Sequence, residues 1–80
     1  MAKQRMKITF PPELVTQPVL YNMGKEFQIV TNIRRADVTG DRGWVILEMT
    51  GVDTEIERAI EWAKGQGVRV EPIEGDIIAG

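Results

Sequence analysis

An α+β fold with elements in the order β-α-β-β-α-β is what this 80-residue sequence predicts, and three observations predict it. Four short segments alternate apolar and polar residues with the period of two that a half-buried strand requires. Two others place apolar residues at the i, i+3, i+4, i+7 spacing of a helix face. Pro, Gly and Asp clusters punctuate the boundaries between them.

Each element follows in order. In "KQRMKITF", Met6, Ile8 and Phe10 alternate with Arg5, Lys7 and Thr9, a first strand that Pro11-Pro12 ends. Pro12 to Thr16 reads as a loop, and the first helix is expected to start near Gln17 with Pro18 at its first position, where a missing N–H costs nothing. Leu20, Met23, Gly24 and Phe27 form its core face. A second strand is expected over 28–38, where neither alternate set is cleanly apolar. Thr39 to Gly43, "TGDRG", supplies a hairpin turn, and a third strand runs from Trp44 to Thr50. Asp53 is expected to accept hydrogen bonds from the free N–H groups of a second helix, with Glu55 and Glu57 complementing its dipole. The helix stripe is Ile56, Ala59, Ile60 and Ala63, with Trp62 one position off it, and Lys64 with Gly65 or Gly67 ends it. "VRVEPI" is a fourth strand, and the tail from residue 75 is expected to be loose.

This order is the ferredoxin-like plan, a four-stranded antiparallel sheet with two helices on one face. The whole chain reads as one domain, ordered over about 4–74. A domain this short has a small core, and association is expected as a source of extra stability.

Composition narrows the function. With 10 basic and 12 acidic residues the net charge is -2, which lacks the positive field that sequence-independent phosphate binding needs. The absence of histidine and cysteine removes imidazole and thiolate ligands and the commonest general base, so no cofactor, no metal and no catalysis are expected. Glu48 and Glu71 share a face without a nucleophile beside them. The basic start "MAKQRMKITF" is followed by no continuous apolar run, so no signal peptide or membrane anchor is expected, and the cytoplasm is the default location.

The sheet face away from the helices carries the functional expectation. If Met6, Ile8, Phe10, Ile33, Val45, Leu47 and Met49 face the helices, then Asn32, Arg34, Trp44 and Ile46 share the open side, and with Val30 they offer an apolar patch beside polar groups. The second strand should lie at the sheet edge, where its free N–H and C=O groups can pair with the same strand of another copy. A homodimer is expected on that ground. Arg34 and Arg35 are neighbours on a strand, so only a bulge would bring both to one face. An RNA-binding sheet is disfavoured, since the first strand offers only Phe10 for base stacking and its period turns it to the helices.

The chain also resembles a known family, the NIL domain, a small ferredoxin-like module named for an Asn-Ile-Leu motif on its second strand. The resemblance runs through "PVLYNMGKEF", "TNI", "GWVILEMTG" and "IERAIEWAKGQGVRVEP", and the motif here reads Asn32-Ile33-Arg34. It implies a non-catalytic small-ligand-binding or regulatory domain. Such domains occur at the carboxyl end of methionine-import ABC transporter ATPases, fused to ferredoxins, and as free-standing chains. They pair through their sheets, and methionine or a related amino acid or sulphur metabolite is the ligand implied.

By position the resemblance gives Asn32 as a ligand contact, with Ile33, Arg34, Trp44 and Ile46 completing the expected set. Arg34 departs from the motif's apolar third residue; an unpaired buried charge is costly, so it should face solvent, an acid or a ligand carboxylate. Without cysteine the chain holds no iron-sulphur cluster, so a ferredoxin or transporter would be a separate partner. Docking on such a partner is the alternative reading to ligand sensing.

Overall fold

A computed structural model describes residues 1–73; the tail from residue 74, including the segment expected to be loose, lies outside the described residues. The elements are β1 (Ala2–Phe10), a 3-10 turn (Pro12–Leu14), α1 (Val19–Glu26), β2 (Ile29–Val38), β3 (Gly43–Gly51), α2 (Asp53–Gln66) and β4 (Arg69–Ile73). The sheet order is β2-β3-β1-β4 with every pair antiparallel. This is the α+β, ferredoxin-like arrangement the alternation predicts.

Three local expectations shift. The Pro11-Pro12 segment is not plain loop: Leu14 N–H donates to Pro11 C=O at 2.9 Å, closing a 3-10 turn. Pro18 stands just outside α1 as its cap, and the helix begins at Val19. Asp53 is the first residue of α2 and makes no capping bond; its carboxylate acts there only through the helix dipole. At the other end Gly67 takes φ 108°, a left-handed conformation that glycine adopts without strain, and its N–H closes on Lys64 C=O at 3.1 Å.

The core lies between the helices and one sheet face. Ile8, Leu47, Met49, Ile56, Ala59 and Ala63 have no exposed surface, and Met23 is nearly as buried. Phe27 and Trp62 extend it in an edge-to-face pair with ring centroids 6.0 Å apart, so Trp62 belongs to the core margin. At Gly51 the chain needs the missing side chain: a Cβ there would lie 3.0 Å from Gln28 C=O, where β2 sets out beside β3.

The link from α1 to β2 is pinned by the second helix. Gln28 N–H donates to Glu55 Oε2 at 2.9 Å, while Arg58 donates to Glu55 Oε1 at 2.6 Å and lies 5.6 Å from the Phe27 ring. The Gln28 N–H, with the Arg58 guanidinium adding to it, holds the Glu55 carboxyl below its ordinary range.

Candidate functional site

The site is built from strand pairing. Cross-strand partners share a face, so the pairs Thr31 with Met49 and Ile33 with Leu47 put those residues on the helix side, and Asn32 with Glu48 lies on the open side. Between Ile33 and Arg35 the register slips by one residue, leaving Arg34 as the extra residue of a β-bulge. Beyond the bulge the alternation inverts. Arg35 and Asp37 now oppose Ile46 and Trp44 on the open side, while Ala36 and Val38 oppose Val45 and Gly43 on the helix side.

On the open side the polar groups are engaged. Arg5 Nε donates to Glu48 Oε2 at 3.1 Å, and Glu48 is only 8% exposed. Lys7 Nζ sits 5.3 Å from the centroid of the Trp44 ring, a cation–π contact. Ile46 lies between Lys7 and Arg35 in register and is 4% exposed. Long side chains of this kind cover apolar surface with their methylene stems while their heads reach water. The expected apolar patch of Val30, Trp44 and Ile46 is therefore broken up, because Ile46 is already buried.

The helix side of β2 is the opposite case. Ile33, expected in the core, is 55% exposed, and Val38 is 56% exposed. The reason is length: an eight-residue helix spans about 12 Å, a ten-residue strand about 33 Å, so α1 cannot cover β2 to its end. Pro18 and the extended conformation of Phe27 stop the helix from lengthening in either direction. What remains is a cleft of about 270 Å³ lined chiefly by Phe10, Val15, Leu20, Ile33, Val38 and Val45, with Gln17 as its polar side chain.

The five residues expected at the site are thus distributed over the sheet. Asn32, Ile33 and Arg34 are consecutive and exposed on the edge strand, with Asn32 and Ile33 on opposite faces. The Arg34 side chain has no ion pair or hydrogen bond among the described residues. Trp44 is half-buried and two open-face steps along β3 from the partner of Asn32, roughly 13 Å away, so Asn32 and Trp44 do not converge. The cleft itself escapes sequence reasoning. Its one signal was the apolar residue Val38 at the end of a strand whose parity only the bulge corrects.

Among the described residues no group of three acidic side chains is placed to hold a metal ion, and no helix is long and apolar enough to cross a membrane.

Comparison with known proteins agrees with this architecture. The chain is similar to the C-terminal domain of an ABC transporter ATP-binding protein from Enterococcus faecalis, at 19% identity and a TM-score of 0.77, covering 91% of this chain and 86% of that one; this likeness concerns the fold. Over 71 residues it is 28% identical to the methionine import ATP-binding protein MetN of Helicobacter hepaticus, covering 84% of this chain and 20% of that protein. Over 72 residues it is 28% identical to MetN of Helicobacter pylori, covering 85% and 22% respectively. The chain therefore spans about a fifth of the length of these curated relatives. The NIL domain model matches residues 4–72, nearly the whole described structure, and the chain belongs to the NIL domain family.

Proposed function

We propose that the chain is a non-catalytic, small-ligand-binding regulatory domain that works as a homodimer, and that its ligand is an amino acid with an apolar side chain, methionine among them. The observation that carries this reading is the open apolar cleft beside Asn32-Ile33-Arg34. Its volume of about 270 Å³ stands just under the roughly 300–1,000 Å³ of sites for drug-sized ligands, the right scale for one amino acid.

Ile33 and Val38 would meet the ligand's apolar side chain, and the Arg34 guanidinium, without a partner among the described residues, would take its carboxylate in a bidentate pair. Asn32 lies on the other face of β2, next to Ile33 in the chain, and would reach the ligand only around the strand. Trp44 and Ile46 support the strand from the open side. The relatives' names supply the methionine expectation, and Arg34 in place of the motif's apolar residue widens it to other carboxylates.

The test is a thermal-shift screen of the twenty amino acids and common thiol metabolites. A ligand at a hundredfold its Kd adds roughly 2.7 kcal/mol of stability. The expected result is a shift with at least one apolar amino acid that Arg34→Ala reduces; no shift with any compound overturns the reading.

A further inference from the structure

The cleft beside β2 is apolar on every side but one. Phe10, Val15, Leu20, Val38 and Val45 line it with hydrocarbon, and Gln17 brings the one side chain among the described lining residues that can form a hydrogen bond. The Gln17 backbone is held from both directions. Its N–H donates to Leu14 C=O at 3.1 Å, its C=O accepts from Val19 N–H at 2.9 Å, and Pro18 directly after it restricts its conformation further. Its side-chain amide makes no hydrogen bond among the described residues.

A fixed backbone carrying an uncommitted amide suits recognition, because little backbone ordering remains to be lost when a ligand arrives. What the amide can recognise follows from the rest of the cleft. A free amino acid brings a carboxylate, an ammonium and a side chain. The proposed site gives the carboxylate to Arg34 and the side chain to the apolar walls, which leaves the ammonium without a partner. An ammonium has N–H donors and no acceptor, so it needs an oxygen. No Asp or Glu is among the described lining residues, and Gln17 Oε1 is their one side-chain acceptor. The free C=O groups along the β2 edge are the competing acceptors, and they survive any change of the Gln17 side chain.

We infer that Gln17 reads the ligand's α-ammonium through its amide oxygen, and so makes the cleft selective for zwitterionic amino acids over carboxylic acids of the same shape. The inference rests on the proposed amino-acid site and adds the residue that tells an amino group from a hydrogen atom. A hydrogen bond to a charged group contributes more than a neutral one, and its removal corresponds to roughly a ten- to hundredfold loss of affinity. The same lining excludes cationic side chains, since a Lys-like or Arg-like ligand would bring a second charge into a cleft that has no carboxylate to meet it.

Isothermal titration calorimetry on the full chain tests it with two pairs of probes: L-methionine with γ-(methylthio)butyric acid, and L-leucine with isocaproic acid. Each acid keeps the side chain and carboxylate of its amino acid and lacks the amino group. Wild type is expected to bind the better amino acid at least about tenfold more tightly than the matching acid. Gln17→Ala is expected to bring the two within about threefold by weakening the amino acid alone. Gln17→Glu keeps the acceptor and loses the donor, and is expected to retain the preference. The ratio is read within each protein, and Gln17 is exposed, so a change in folding stability does not imitate the effect. A wild type without preference, a preference that survives Gln17→Ala, or one lost in Gln17→Glu overturns the role of Gln17 and leaves the proposed site standing. Failure of wild type to bind any of the four compounds overturns the site and this inference together.

Discussion

β3 and β2 are neighbours of nearly equal length with opposite fates. In β3, seven of the nine residues are buried, including Ile46 and Glu48 on the side no helix covers, whereas in β2 only Ile29 is fully buried. The difference is one of position more than composition. A central strand has neighbours on both flanks whose long side chains fold over it, as Lys7 and Arg35 flank Ile46 and Arg5 meets Glu48. An edge strand has neighbours on one flank only, and here its helix is too short to compensate. The central strand holds the fold together; the edge strand is left available for binding.

The sharpest way to break that contrast is Leu47→Ala at the middle of β3. Leu47 has no exposed surface, and deleting a buried leucine side chain costs about 3–5 kcal/mol, a large part of the roughly 4–12 kcal/mol available to a domain of this size. Urea denaturation should register that loss; one under about 1 kcal/mol would mean the centre of β3 is not the core.

Much of this contrast was legible in the sequence and part was not. The alternation of Met6, Ile8 and Phe10 and the stripe of Ile56, Ala59 and Ala63 gave strands, helices and order, because those periods are local. The bulge was not legible. Arg34 is neither glycine nor proline, and its extra position exists only relative to Leu47 and Ile46, a long-range pairing. Strict alternation continued from Ile33 would put every residue from Arg35 to Val38 on the wrong face. The exposure of Ile33 was missed for a related reason: facing the helices is not the same as being reached by one. Ile46 erred the other way: it is expected on an exposed patch and is buried, flanked in register by Lys7 and Arg35 on the two neighbouring strands.

A smaller effect links the two regions. Glu55 on α2 holds the Gln28 N–H just before β2 begins, and its lowered pKa means that the ionised form is favoured in the folded chain. The stability from this link is present above the ordinary carboxyl value of 4.5 and is lost as the pH falls below it toward the lowered folded value. Denaturation midpoints taken from pH 7 down to pH 3 should therefore decline less steeply below that value for Glu55→Gln than for wild type. Parallel curves would show that the Gln28 link carries no charge dependence.

The smallest stability effect is expected where the functional effect is largest. Ile33 is more than half exposed, so Ile33→Ala should change folding stability by less than about 1 kcal/mol, against several for Leu47→Ala directly across the ladder. The same truncation removes apolar surface from the cleft wall, and losing about 1.5 kcal/mol of burial against a ligand weakens binding roughly tenfold. Paired melts with and without the best amino acid from the screen separate the two quantities on one sample. If Ile33→Ala melts like wild type alone but loses most of the ligand-induced shift, the edge strand binds through the residue that the fold leaves uncovered. If it melts several kcal/mol lower and keeps its shift, Ile33 belongs to the core after all, and the cleft is a packing defect rather than a site.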